Sequence, residues 1–400
     1  MRTPLHCHYT RSVYSSTLSL MKISDLDVFV LKTPLETPFA FSQGWVHQRS
    51  ATLVRVTTDN GLVGWGEAFT QGLEPPEIAA AAITHAFKPL VMGCNPLDTC
   101  VLWHKMYAHS RDFGRKGSVV SAISAIDIAL WDITGQFYSQ PIYQLLGGAQ
   151  RKQVQPYATG FYRTTGKNES SRLAQEAMDH RDAGFRAMKV KLGFGLSDDI
   201  QVMQAIHDAL GDNTIELMVD TNHAYGRVDA LQLGKALEAF NVRWYEEPVV
   251  PEDTEGYKEL RSKLTIAIAG GENEHTAYGF NQLFKQNALD IAQPDIGSCG
   301  GITAMRDIIG MAQANGVQVN PHVWGAAVAQ AASLQVMAAL PVTHHSLFPT
   351  EPLLEYDRSE HPFRQQLIDT PWQVIDGLVA IPNGPGLGIN INMEVVEAYS

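Results

Sequence analysis

Asp220, Glu246 and Glu272 each close a short apolar run and recur at 26-residue intervals. Their settings are Leu217-Met218-Val219-Asp220, Trp244-Tyr245-Glu246-Glu247-Pro248 and Ile268-Ala269-Gly270-Gly271-Glu272. A repeat of that length sets one acid on each of three successive strands. Carboxylates crowded in this way need a cation or bound protons. An all-oxygen set without Cys or His calls for a hard divalent ion, Mg2+ first and Mn2+ second. The competing reading pairs the three acids with neighbouring Lys or Arg. The apolar run ahead of each acid argues instead for a buried strand end.

Two bases accompany them. Lys189-Val190-Lys191 sits on a strand, where residues two apart face the same side. Two neighbouring ammonium groups depress one another's pKa, which would help one of them act as a neutral base. Taken alone, Lys-x-Lys after an apolar run reads better as two solvated lysines. His322 ends the run Val317–Pro321, and Asp295 ends Asp290–Pro294 one unit earlier. An Asp on the adjacent strand can accept one imidazole N–H, fix the tautomer and raise the basicity of the other nitrogen. Glu355, in Leu353-Leu354-Glu355-Tyr356-Asp357, is a further acid for the ring, with Glu351 its competitor.

These groups need elements to hold them. Apolar runs end at or near Thr159, Lys191, Asp220, Glu246, Glu272, Asp295, His322 and Glu355, 32, 29, 26, 26, 23, 27 and 33 residues apart. Amphipathic segments fit between them at 171–183, 198–210, 229–240, 277–287, 303–315 and 328–340. Eight strand–helix units predict a (β/α) barrel, whose active sites form at the C-terminal strand ends. Seven consecutive ends here carry Lys, Asp, Glu, Glu, Asp, His and Glu. No Gly-x-Gly-x-x-Gly follows the first strand, which argues against a dinucleotide fold.

Ahead of the barrel, strands are expected at 28–32, 51–57 and 61–67, with the Asn60-Gly61 turn before the third. Helices are expected at 77–90, 96–110 and 118–138, so 21–150 forms an α+β unit. The segment 38–49 reads as a long, aromatic, functional loop. Its Gln43 and His47, with Arg49, would give a polar cap. Residues 1–20 lack acids and an apolar stretch, and read as a disordered extension rather than a secretory signal. His6-Cys7-His8 is a weak metal candidate there.

Composition sets outer bounds. Thirty Lys+Arg against 42 Asp+Glu give a net charge of −12, unsuited to nucleic acid or an anionic membrane. No apolar run approaches the roughly 18–20 residues of a membrane helix. Four cysteines without a Cys-x-x-Cys pair make neither a disulfide framework nor a zinc site, and a cytoplasmic setting is expected.

The constellation resembles the enolase superfamily, in its mandelate racemase group. The resemblance runs from Met21 to Ser400 through Lys189-x-Lys191, Asp220-x-Asn222, Glu246-Glu247-Pro248, Gly271-Glu272, Gln293-Pro294-Asp295 and His322. Within the group it resembles galactarolactone cycloisomerases and acid-sugar dehydratases. That likeness rests on Tyr157-Ala158-Thr159-Gly160, Asn222-His223-Ala224-Tyr225, Ser298-Cys299-Gly300-Gly301, Pro321-His322-Val323-Trp324-Gly325 and Glu355-Tyr356-Asp357-Arg358.

The resemblance implies a modified (β/α)7β barrel over 151–375, a capping domain over 21–150, and a tail over 376–400 that returns to the cap. It implies that Lys191 is a general base tuned by Lys189, that His322 with Asp295 works on the opposite face, and that Mg2+ stabilises the ene-diolate. It also implies a dimer-based assembly, often an octamer; Asn222 and Trp324 within its motifs, and Gln43 and His47 on the polar cap, are the expected substrate contacts. The expected substrate is a sugar diacid or its lactone, converted to a 2-keto-3-deoxy acid. Dehydration of an open-chain acid sugar, or racemisation or epimerisation, are the alternatives.

Overall fold

The computed structural model describes residues 21–211 and 214–400. The expected extension over residues 1–20, with its His6-Cys7-His8 cluster, lies outside them.

The first domain is a three-stranded antiparallel sheet, Ile23–Phe41, Gly44–Thr58 and Val63–Ala68, backed by helices. The segment read as a loop at 38–49 is instead a strand hairpin. Phe39 pairs with Val46 and Phe41 with Gly44, leaving Ser42 and Gln43 at the tip. Pro34 and Pro38 look like breakers in sequence. The sheet absorbs them in a register irregularity between Pro34 and Phe39, as edge strands can.

The helix expected at 77–90 forms with a π-helical turn over Ala82–Phe87. That turn precedes Pro89, which has no N–H to donate to a regular ladder. The helix Ser118–Phe137 is the centre of this domain. Gly64 and Gly66 let it lie directly on the sheet, since a methyl at Gly66 would overlap the Ala125 carbonyl. By length and composition this helix could cross a membrane, which corrects the expectation that no such run exists. It is 89% buried here, and its Asp127 and Asp132 hydrogen-bond to other segments, so it serves as a core helix.

The second domain is an eight-stranded parallel sheet. Its strands are Pro156–Thr159, Ala187–Lys191, Glu216–Asp220, Trp244–Glu246, Ala267–Gly270, Ile291–Ala292, Gln318–Val319 and Leu354–Asp357. They pair in sequence order, and the eighth pairs with the first. Between the seventh and eighth a side chain continues the ladder. The Asn320 amide donates to the Leu353 carbonyl at 3.1 Å and accepts from the Leu353 N–H at 2.8 Å.

The helix Thr254–Lys263, which sequence periodicity did not single out, completes the fourth unit behind an Asp253 N-cap. Buried carboxylates of the first domain reach into the second. Glu67 accepts from the Ala326 and Ala329 N–H groups at a helix N-terminus, and Asp127 accepts from Thr303. The tail reaches back, with Leu387 N–H on Asp132 and Gly386 N–H on the Gln140 carbonyl.

Candidate active site

Strand register alone aligns the charged groups: Lys191 lies beside Asp220, and Asp220 beside Glu246. Asp295 and His322 face each other in an isolated bridge beyond their strands. Asp220, Glu246 and Glu272 each offer one oxygen within 4.8 Å of the others, and all three side chains are buried.

The lysines occupy the same cluster. Lys189 Nζ lies 2.7 Å from Glu246, 2.8 Å from Glu355 and 3.6 Å from Asp220. Lys191 Nζ lies 2.5 Å from Asp220 and 3.0 Å from Asn222 Oδ1. Trp244 and Gln293 donate to the second oxygen of Glu246 at 3.0 and 2.7 Å. The acids therefore do meet lysines, as the competing reading had it, yet the lysines do not balance them. With every group ionised, five carboxylates (Asp220, Glu246, Glu272, Asp295, Glu355) face Lys189, Lys191 and His322, an excess of two negative charges that a bound proton or a cation must offset. Glu272 Oε2 is also buried with no hydrogen-bond partner. Both features fit one divalent cation held by Asp220, Glu246 and Glu272.

The local fields follow from this packing. Burial alone would lower the Lys191 pKa and Lys189 lowers it further, but Asp220, Glu272 and Glu246 push it above its ordinary value. The expected depression by a neighbouring ammonium is present and outweighed, because acids outnumber bases. Burial likewise works against His322, and Glu272, Glu355 and Asp295 raise it to about 10. Burial pushes Glu246 up to about 7 despite Lys189. Burial also works against the Glu355 carboxylate, but Lys189, His322 and Lys191 hold it well below the usual range.

His322 Nδ1 is 2.8 Å from Asp295 Oδ2, which turns Nε2 toward Glu272, 3.4 Å away. Glu355 accepts from Thr159 Oγ1 and from the Val323 N–H, at 2.8 and 3.0 Å. Glu351 is exposed and paired with Arg151, away from this cluster.

Above the charged floor lies a narrow cleft of about 20 Å3 lined by Phe41, Phe69, Gln71, Tyr162, Lys191, Asn222, Glu272, His322 and Trp324. Of the expected substrate contacts, Asn222 and Trp324 line it. Gln43 does not; at the hairpin tip its amide donates to the Asn222 carbonyl at 2.7 Å and ties the cap to the barrel. His47 does not either. Strand alternation buries Val46 and turns His47 to solvent. Arg49 is buried behind Trp324 rather than exposed in a polar cap.

Sequence reasoning missed Phe41, Phe69, Gln71 and Tyr162. Docking of the two domains, for example Phe69 N–H on the Gly297 carbonyl at 3.0 Å, brings Phe41, Phe69 and Gln71 to the strand ends, where Tyr162 already follows the first barrel strand. A larger cleft of about 660 Å3 along the segment 368–390 is lined by Asp369 and Asp376 but by no Lys, Arg or His, and shares no lining residue with this one.

Comparison with known proteins agrees with this geometry. Residues 25–147 match the mandelate racemase / muconate lactonizing enzyme N-terminal domain, and residues 172–395 match the enolase C-terminal domain-like family. The chain is 39% identical over 379 residues to a D-galactarolactone cycloisomerase of Agrobacterium fabrum, covering 95% of this chain and 99% of that protein. It is 31% identical over 354 residues to an arabinonate dehydratase of Saccharolobus solfataricus, covering 88% and 91%. A magnesium-bound racemase from Streptomyces coelicolor superposes with a TM-score of 0.84 at 27% identity, covering 94% and 99%. The chain belongs to the mandelate racemase / muconate lactonizing enzyme group of the enolase superfamily and is one of its enzymes.

Proposed function

We propose that this enzyme removes the proton alpha to the carboxylate of a sugar acid and expels the beta oxygen, giving a 2-keto-3-deoxy acid. The observation that carries the proposal is that Lys191 and His322, each held by its own carboxylate, line one cleft together with Asn222 and Glu272. Galactarolactone-type cycloisomerisation is the favoured reaction, supported by the 39% identity over nearly the whole chain.

Asp220 and Asn222 hold Lys191 Nζ at the cleft. With a divalent cation on Asp220, Glu246 and Glu272 to offset the acids that raise its pKa, its neutral amine accepts the alpha proton. The C–H electron pair becomes the Cα–Cβ double bond, and the Cβ–O pair leaves with the oxygen. The imidazolium of His322, stabilised by Asp295, hands its Nε2 proton to the departing hydroxyl of an open-chain acid, or to Cβ once a lactone ring has opened. The enol becomes the 2-keto acid when Cβ gains a proton and the enol O–H gives one up. Asp220, Glu246 and Glu272 would hold the metal, Mg2+ first and Mn2+ second, which supplies positive charge against the negative charge developing on the substrate carboxylate. Phe41, Phe69, Tyr162 and Trp324 exclude water from the reacting end.

In a lactone the beta oxygen belongs to the ring ester, so elimination opens the ring without change of mass. An open-chain acid loses one water. Incubating the Mg2+-loaded enzyme with sugar acids and their lactones, followed by mass spectrometry, separates the two. Equal mass with a 2-keto-3-deoxy product supports cycloisomerisation, and loss of water supports dehydration. An inverted alpha centre without either product would replace the proposal with racemisation. We also propose a cytoplasmic homo-oligomer built from dimers, up to an octamer, in keeping with the unpaired Cys94, Cys100 and Cys299. Light scattering on the purified protein checks the assembly, and a single-chain mass would contradict it.

A further inference from the structure

Resting on the reading of a dimer-built assembly above, we propose that the N-terminal end of the barrel is an interface between two copies of this chain. In it, Leu347 and Phe348 of each copy insert into the cleft along 368–390 of the other.

Exposed apolar side chains on a folded chain are ordinarily scattered one by one. Leu347 and Phe348 are adjacent, and each is 93% exposed, more than any other large apolar residue among those described. They stand on the segment 341–350, which leads from the helix Ala327–Ala339 to the eighth strand. The Thr343 hydroxyl ties that segment to the Val317 carbonyl, just ahead of the seventh strand, at 3.4 Å.

The cleft stands at the same end of the barrel. Its strand Leu378–Ala380 pairs with Gln153–Val154, just ahead of the first barrel strand, and that barrel strand pairs with the eighth through Pro156 and Leu354. The charged groups of the active site lie at the opposite, C-terminal strand ends, so this face can be covered without closing the active site. A two-fold axis through the N-terminal face lets each copy present both its apolar pair and its cleft to the other.

Volume, area and charge agree with that occupant. The cleft holds about 660 Å3 and is lined by Trp372, Ile375, Leu378, Ile381 and Ile389, which is ample for both side chains of the pair. Ile375 is itself 64% exposed. Counting about 150–200 Å2 for each side chain and as much again from the walls, one insertion removes roughly 600–800 Å2 from water. Two reciprocal insertions then reach roughly 1,200–1,600 Å2, the size of a stable interface. The segment 341–350 contains no acid and sets the exposed His344 and His345 beside the pair. The cleft carries Asp369 and Asp376 and no Lys, Arg or His. A second apolar recess, about 190 Å3 between Leu146, Ile302 and Val336, is smaller and is lined by Arg306 and no acid, so it complements the pair less well.

Light scattering on the purified enzyme gives the wild-type mass. The double variant Leu347→Asp, Phe348→Asp should fall to half that mass or less with its thermal melt and kcat kept. Ile375→Glu, which puts a charge into the cleft, should do the same. Mixed in equal amounts, the two variants should reach a higher mass than either alone, because the intact pair of one meets the intact cleft of the other. A wild type of single-chain mass overturns this inference and the assembly reading together. A wild-type oligomer whose mass survives the double variant overturns the inference alone and leaves the assembly standing on another face. Loss of mass in both variants without association of the mixture puts the pair and the cleft in separate contacts, which also overturns it. If Ile375→Glu fails to fold, the double variant at the exposed pair still decides.

Discussion

Replacing Asp295 by Asn keeps the shape of the His322 dyad and removes its charge. Asp295 Oδ2 lies 2.8 Å from His322 Nδ1 in a buried site, while Oδ1 accepts the Gly297 N–H at 2.7 Å. A hydrogen bond to a charged group contributes about 1.5–3 kcal/mol against about 0.5–1.5 for a neutral one. The imidazolium should therefore lose about 1–1.5 kcal/mol, which is about one pH unit. The sign follows from the direction of the shift. Asp295 is among the groups that raise His322 to about 10, so its removal lowers the pKa and the proton is lost at lower pH. Activity that depends on protonated His322 should then fall away about one unit earlier on the alkaline side, while at neutral pH the imidazole stays protonated and kcat changes far less. The assay is a pH profile of kcat and kcat/KM for both proteins, with a thermal melt to confirm that the variant is folded. An unshifted alkaline limb would refute the assignment of His322 as the acid.

Lys191→Ala and His322→Asn should each lower kcat by about 10^2–10^4 with the melt preserved, and loss of neither activity would mean the site is misplaced. EDTA should abolish activity and Mg2+ restore it. Mg2+ should also raise Tm, since an ion bound only by the folded state stabilises it. Full activity in metal-free protein would contradict the carboxylate site. Burial raises Glu67 to about 7 in the folded protein, above its unfolded value of about 4.5. The folded state therefore holds a proton longer, and this contribution to stability is complete below pH 4.5 and lost as pH rises through 7. Thermal melts from pH 4.5 to 8 should show Glu67→Gln losing less stability than the wild type over that window, and parallel curves would contradict it.

Much of the charged floor was legible in the sequence because it follows from strand register. Once Lys191, Asp220 and Glu246 are each taken as strand ends in a barrel, parallel pairing sets them side by side. Glu355 could be told from Glu351 only through burial: one sits inside the last strand, the other pairs with Arg151 at the surface. The aromatic wall was illegible because it depends on long-range docking. Phe41 comes from the cap hairpin, Phe69 and Gln71 follow its third strand, and Tyr162 follows the first barrel strand. His47 and Gln43 were misplaced for a related reason. Reading 38–49 as an open loop left every polar residue free to face substrate, whereas a paired hairpin turns alternate residues away. The upward shift of Lys191 depends on how many acids surround it, which a Lys-x-Lys spacing does not convey.

The most direct measurement is proton NMR of the substrate alpha position in deuterated water, with Mg2+-loaded wild type, Lys191→Ala and His322→Asn. The wild type should convert a sugar acid or lactone, and His322→Asn should still exchange the alpha proton for deuterium while forming little product. Lys191→Ala should do neither. Exchange that persists in Lys191→Ala and vanishes in His322→Asn would reverse the two roles, and exchange in both variants at the wild-type rate would contradict proton abstraction at this site.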